Sequence, residues 1–356
     1  GSRGLVDLLR VVPMMMPELV DEWFENQLLR SAISTAGIHH LSFGPFAAAT
    51  GYNLLHQHLY SGGVFHNAQF VKGGTGNLAK ALKAAAESVH VDIQTNSKVG
   101  SIDLDNGICD GVTLQDGESL KAKTIVSGLD PHNTFINLVG APNLNPNFHT
   151  QLRNIKYRGS TARIHFALES LPEINGISVD QMGTVFSFCP TIEFLERASD
   201  AVKYGCLPEK PYVEFSIPSI MNPNFSPDGK HVLSATVQYA PYHLRDQKWN
   251  DESKSILKNN AVLVLEKIIP GFSSIIESSM VLSPLDLENE FGLTEGNLNH
   301  GEMTLDQFMF MRPTISAAQY KSPIQNLYLC GPGTHPGGGL HGTNGLNAAQ
   351  KIIKDN

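Results

Sequence analysis

Apolar residues recur at three-and-four spacing in "LVDLLRVV" and again in "LVDEWFENQLLRSAI", with Pro13 and Pro17 between the two runs. That period matches one face of an α-helix, so residues 4–35 are expected to be helical with a break at the prolines. Residues 36–65 are rich in Gly and His and read as a loop followed by a helix. In "FVKGGTGNLAKALKAAAESVHVDIQTN" a glycine turn leads into an Ala/Leu/Lys helix, and a strand is expected after it.

Over residues 97–127 the period changes to two. "SKVGSIDLDNGICDGVTLQDGESLKAKTIVSG" alternates apolar and polar positions, interrupted by Asn106-Gly107 and Asp116-Gly117. Both dipeptides favour the positive φ angles of tight hairpin turns. Three antiparallel strands are therefore expected, the last ending in "TIVSGLDP", where Pro131 and Asn133 open a helix. Further along, "TARIHFALE", "YVEFSIPSI" and "HVLSATVQY" read as strands of a second sheet, and "DESKSILKNNAVLVLEKIIP" as an amphipathic helix. The chain closes with a strand at 327–330, a glycine-crowded loop and a short helix.

Composition narrows the classes. The 356 residues suffice for one large core or two smaller ones, and two intertwined domains are expected. A formal charge of -8, with no basic block anywhere, excludes a nucleic-acid partner of the ordinary basic kind. "VVPMMMPELV" is too short and too broken by prolines to span a bilayer, so no transmembrane segment is expected. Cys109, Cys189, Cys206 and Cys330 form no CxxC pair or ligand-like cluster, which points to free thiols in a reducing compartment. The opening Gly1-Ser2 resembles a fusion scar, so the natural N-terminus is expected to lie elsewhere.

Two glycine loops carry candidate chemistry. Gly74-x-Gly76-x-x-Ala79 is a loose version of a dinucleotide fingerprint, but the stretch before it is a poor buried strand and no acid ends the following one. A lone match of this kind is weak, and a turn that packs a helix tightly is the favoured reading. The terminal loop places seven glycines between Gly331 and Gly345, then starts a helix whose first amides lack intrahelical partners. Those amides carry partial positive charge and suit an anionic or electron-rich ligand edge, while a plain connection would use the same glycines.

His335 and His341 flank this loop, and either could exchange a proton near neutral pH. Arg312 precedes the last strand and could clamp an acidic substrate group or pair with a carboxylate. These three are the candidate catalytic residues. His39-His40, His56-x-His58 and His66 form a histidine-rich patch without an HxxxH or HExxH pattern, so no metal is expected. "MMM" and "FMFM" fit either core or the lining of an apolar tunnel.

Long stretches of the chain resemble one family of enzymes. "LVDEWFENQLLRSAI", "GYNLLHQHLYSGG", "FVKGGTGNLAKAL", "GVTLQDGESLKAKTIVS", "YVEFSIPSIMNPNFSPDGKHVLSATVQYAPY", "GNLNHGEMTLDQFMFMRP" and "LYLCGPGTHPGGGLHGTNGLNAA" resemble the phytoene-desaturase-like FAD-dependent oxidoreductases. Among these, the chain resembles the family named pyridine nucleotide-disulfide oxidoreductase domain-containing protein 2. No CxxxxC pair is present, so redox-active disulfide chemistry is not implied. The resemblance implies an α/β fold in which an FAD/NAD(P)-binding three-layer domain is interleaved with a substrate domain of mixed sheet plus helices. It allots 66–130 and 318–356 to a partial FAD-binding domain, and 1–65 and 131–317 to the substrate domain.

By the same resemblance FAD is the cofactor. Val99 would meet the adenine, Ser127 and Gly128 the ADP portion, and Gly331, Pro332, Gly333 and Thr334 the pyrophosphate and ribityl chain. Gly342, Gly345, Leu346 and Asn347 would meet the isoalloxazine. Two departures stand out. Asn344 and Leu346 replace the Pro and Arg of the usual ending, and no strand with a G-x-G-x-x-G loop precedes residue 73. The N-terminal βαβ unit of the flavin site is thus expected to lie outside these residues.

The implied function is an FAD-dependent dehydrogenase or desaturase acting on an apolar or amine-bearing small molecule. A catalytically inactive binding or scaffold protein of the same fold is the alternative. The resemblance implies a place in the cytoplasm or the mitochondrial matrix, and an uncovered sheet edge would favour a homo-oligomer.

Overall fold

The computed structural model describes residues 2–58 and 70–356. Helices α1 (Ser2–Val11), α2 (Met16–Asp21), α3 (Gln27–Gly37) and α4 (Thr50–His58) open the chain. Pro13 falls between α1 and α2, and Pro17 sits in the first turn of α2, where the missing N–H breaks no helical bond. The Glu18 carboxylate accepts the Met15 N–H at 2.9 Å, and the Asn26 side chain accepts the Leu29 N–H at 3.0 Å to start α3. Helix α5 (Thr75–Ser88) follows Gly73 and Gly74, whose φ angles are 78° and 93°.

The strand expected after α5 is absent. Residues 91–94 are exposed and join no strand ladder among the described residues, and alternation alone cannot make a strand without a neighbouring ladder. Strands β1 (Val99–Asp105), β2 (Ile108–Leu114) and β3 (Ser119–Lys121) form the expected antiparallel meander. Asn106 and Gly107 both adopt positive φ, as a two-residue hairpin requires. The last strand of that run divides. β4 (Ile125–Ser127) leaves the meander and pairs in parallel with β10 (Leu327–Leu329), some 200 residues away in sequence.

Between them come helix α6 (Pro146–Asn154), strands β5 (Thr161–Leu168) and β6 (Val185–Ser187), and helix α7 (Ile192–Tyr204). Strand β7 (Tyr212–Ser216), helix α8 (Pro218–Met221), strand β8 (His231–Gln238) and helix α9 (Asp251–Leu265) follow. Strand β9 (Ile276–Leu282) and helix α10 (Pro284–Phe291) precede β10, and helix α11 (Thr343–Asp355) ends the chain. The α/β class holds. Among the described residues no helix is long and apolar enough to cross a membrane.

Two compact units result: residues 1–93 with 159–287, and residues 94–158 with 288–356. The sheet unit, the first of these, is built on five strands in the order β6-β7-β8-β5-β9. Every pairing in it is antiparallel, where a mixed sheet was expected. One face carries Ala162, Ile164, Phe166 and Leu168 of β5 with Leu233, Ala235 and Val237 of β8, all buried against Leu257, Ala261 and Val264 of α9. The Phe166 and Phe272 rings meet edge-on at 5.2 Å, and a fully buried ring of this kind contributes about 1.5–3 kcal/mol.

The glycine-loop unit, the second, gathers Ile102, Phe135, Phe148, Leu152, Leu327 and Leu329 into one apolar cluster. That packing ties the helical turns after Pro131 to β10, so the boundaries read at 131 and 318 both fall inside this unit. Residues 70–93 instead go with the sheet unit. The Gly73 N–H donates to the Asn222 side chain at 2.7 Å, and any Cβ at Gly74 would collide with the Phe225 ring. The first glycine loop is therefore a helix-packing turn, not part of a parallel-sheet phosphate site.

Candidate active site

In the glycine-loop unit the parallel pairing of β4 and β10 puts their carboxyl ends side by side. Leu329 pairs with Ser127, and the Cys330 N–H donates to the Ser127 carbonyl at 2.9 Å. Gly128 and Gly331, distant in sequence, thus meet at the end of the sheet where α/β folds bind ligands. A Cβ on Gly331 would strike the Gly128 carbonyl, and one on Gly333 would lie 2.7 Å from Pro131 Cδ. These two glycines are required for close passage of backbone over backbone. Ser127 is buried, its hydroxyl 2.7 Å from Thr134 Oγ1. Thr334 closes a tight turn, its N–H and hydroxyl reaching the Gly331 carbonyl at 3.0 and 2.8 Å.

The start of α11 differs. Built Cβ atoms on Gly342 and Gly345 meet nothing within 4 Å. Gly342 has φ 67° and no side-chain cap; the His341 Nδ1 atom takes that place, accepting the Thr343 N–H at 3.1 Å. Among the described residues, the Asn344 and Gly345 amides have no acceptor. An open helix start with two unsatisfied amides, beside two crossing glycine strands, is a cradle for an anionic or electron-rich group. Leu346 lies 59% exposed beside it. The residues present therefore fit a flavin nucleotide.

Polar side chains brace this loop from behind. Asn344, buried, donates to the Gly331 carbonyl at 3.2 Å and the Thr334 carbonyl at 3.0 Å. The Asn347 amide donates to the Tyr320 hydroxyl at 2.8 Å, which donates to the His335 carbonyl at 2.8 Å. Arg312 is completely buried. Its guanidinium donates to the carbonyls of Pro332 at 3.0 Å and Gly301 at 3.1 Å, to the Asn299 carbonyl, and to the Gln307 side chain at 3.4 Å. Burial pushes its pKa down to about 10, so it stays charged near neutral pH.

This corrects the expectation for Arg312. Its donors hold the loop and do not clamp a substrate. His335 is half-buried, and burial, followed by the nearby Arg312 charge, lowers its pKa, so it carries no charge at neutral pH. Val99 begins β1 opposite Leu114, half-buried in the meander and away from the β4–β10 junction in the pairing. Tyr320 and Asn299 went unread in the sequence, because nothing local marks a residue whose partners lie elsewhere in the chain.

The sequence matches the flavin containing amine oxidoreductases over residues 46–353. The chain belongs to that family. Flavin amine oxidoreductases are flavin-containing, which makes FAD the cofactor. Among curated relatives of this flavin amine oxidoreductase, the rat protein named pyridine nucleotide-disulfide oxidoreductase domain-containing protein 2 is 31% identical, aligned over 97% of this chain and 61% of its own length. A phytoene desaturase (lycopene-forming) from Paracoccus is 28% identical, over 94% of this chain and 64% of its own. The chain thus spans less than two thirds of the length of these relatives. Among solved structures, an oxidoreductase from Methanosarcina mazei superposes with a TM-score of 0.62 at 14% identity, covering 99% of this chain and 71% of its own. A putrescine oxidase does so with a TM-score of 0.60 at 13% identity, covering 98% and 70%. Both share the fold.

His39, His40 and His56 of this flavin amine oxidoreductase lie in the sheet unit. His39 Nε2 is 3.3 Å from Glu214 Oε2, and the His40 N–H donates to the Gln238 side chain at 3.1 Å. His56 is buried against Tyr52, while the His58 side chain and His66 lie outside the described residues. No cluster of metal ligands occurs among the described residues. Met16 is core, and Phe308 is buried while Phe310 is 66% exposed, so the Met and Phe runs do not form one lining. The four cysteines are free thiols.

Burial pushes the His40 pKa down to about 3, with the neighbouring His39 and Arg163 charges adding to the shift. The unfolded chain takes up this proton near pH 6.5, the folded protein only near 3. Stability is therefore complete above pH 6.5 and declines as pH falls toward 3, by at most about 1.4 kcal/mol per pH unit. His40 has φ 59°, which Asn tolerates, so His40→Asn removes the proton without the backbone penalty. Urea midpoints measured between pH 7 and 5 should fall less steeply in His40→Asn, by about one proton's worth; equal slopes would refute the assignment.

Proposed function

We propose that the chain forms part of an FAD-dependent oxidoreductase that removes a hydride from a saturated or amine-bearing carbon of a small molecule. The observation that carries this reading is the meeting of Gly128, Gly331 and the open start of α11 at the carboxyl ends of a parallel strand pair. FAD, when bound, supplies the hydride acceptor. Gly128, Gly331 to Thr334, and Gly342 to Leu346 would hold it. The Asn344 and Gly345 amides would favour added negative charge on the ligand edge they face, because their positive partial charges are fixed in place before reaction. Arg312, Asn344 and Tyr320 keep that geometry rigid through their bonds to loop carbonyls.

The second reading is a binding or scaffold protein of the same fold without activity. It is favoured by Leu346, an exposed apolar residue where the family pattern carries Arg. A titration with FAD, following flavin fluorescence and thermal stability together, separates the readings. Binding in the micromolar range or tighter, by this chain or by one extended to the length of its relatives, is expected. Absence of binding by both would sink the oxidoreductase reading. Binding without any substrate-dependent loss of flavin absorbance, across amines and apolar alkanes or alkenes, would favour the scaffold.

A further inference from the structure

The face of the five-stranded sheet turned away from α9 is polar. Cross-strand register places Glu214, Thr236, Arg163 and Leu282 in one row, and Ser216, Ser234, His165 and Met280 in the next. Directly paired residues share a face, so these rows lie together. At one end the face is closed: Thr161, Gln238 and Tyr212 are buried, and the Gln238 amide donates to the Ile38 and Leu41 carbonyls. At the other end it opens, with Met280 54% exposed.

The two central charges are not equally committed. Glu214 faces His39 at 3.3 Å and receives the Tyr212 hydroxyl at 3.4 Å. Burial raises its pKa, but the His39 hydrogen bond and the His39 and Arg163 charges outweigh that, leaving it lowered and ionised. Arg163 is half-buried, yet among the described residues its hydrogen-bond partner is Thr236 Oγ1 alone. A guanidinium has five N–H donors, and burying one that uses a single donor is costly. A fully solvated sheet face would leave Arg163 exposed, whereas burial here lowers its pKa, opposed by Glu214.

We propose that Arg163 receives the carboxylate of an apolar-bodied small-molecule substrate on this face. The planar fork of its unused donors matches a carboxylate in two-point contact. Leu282 beside it and Met280, opposite His165, give the remainder of such a molecule an apolar edge along β9, about 7 Å per pair of residues. Calling the ligand a substrate rests on the oxidoreductase reading; the binding itself does not.

The test compares isosteric probes on the purified full chain by calorimetry: hexanoate against hexanamide, and phenylacetate against phenylacetamide. The acids are expected to bind at least tenfold more tightly than their amides. Arg163→Gln should erase that preference and Arg163→Lys should retain part of it. Equal binding of acid and amide by the unaltered protein would overturn the proposal, and this comparison needs no variant to fold. An acid preference that survives in Arg163→Gln, or tighter binding of hexylamine than of hexanoate that is lost in Glu214→Gln, would also overturn it. FAD titrated in parallel keeps the two readings apart. Acid preference without FAD binding, by this chain and by one extended to the length of its relatives, would leave an Arg163 ligand site on a protein that is not a flavoenzyme. FAD binding without acid preference would leave the flavoenzyme and remove the carboxylate.

Discussion

Arg312→Met is expected to lower stability by about 3–5 kcal/mol, the usual scale for breaking a buried charged network from one side. Replacing a buried ion by an apolar side chain can be neutral when its partners are replaced as well. Here they cannot be, because three of them are the backbone carbonyls of Pro332, Asn299 and Gly301. Each carbonyl left without a donor costs about 1–3 kcal/mol. Arg312→Lys should recover less than half of the loss, since one ammonium cannot reach acceptors spread around a planar fork. Urea unfolding measures both. A Met variant within about 1 kcal/mol of the parent protein would mean that the loop carbonyls are satisfied in some other way.

The next largest effects come from two glycines of one loop, with opposite consequences. Gly331→Ala pushes a methyl group into the Gly128 carbonyl and must part β4 from β10. A loss of about 1–3 kcal/mol in stability is expected, together with loss of FAD binding. Gly345→Asp places its side chain in open space at the start of α11. A carboxylate in the first turn of a helix raises stability by about 0.3–1 kcal/mol. The same charge repels an anionic or electron-rich ligand, so FAD affinity should fall at least tenfold while folding is kept. A Gly345→Asp protein that is folded and binds FAD normally would place the flavin elsewhere.

How much of this was legible in the chain depends on whether each cause is local. Caps, turns and amphipathic faces are local, and they were readable: Asn106-Gly107 in the hairpin, the prolines between the first helices, the alternation of "TARIHFALE". The pattern after Ser88 failed because alternation describes a side-chain arrangement and does not supply a partner strand. The domain boundaries failed for a related reason. Phe135 and Phe148 join Leu327 and Leu329 through packing across nearly 200 residues, and no composition change marks that.

The candidate site divides along the same line. The sequence by itself determined the α/β class, the elements, the glycine-rich start of the last helix and, through its resemblance, the flavin. Only the tertiary structure decided that Gly128 lies beneath Gly331, that Arg312 serves the loop, that the first glycine loop packs a helix, and that Arg163 lies half-buried with one partner. A residue's type sets what bonds it can make, whereas which bonds remain to be made is settled by neighbours brought together through folding.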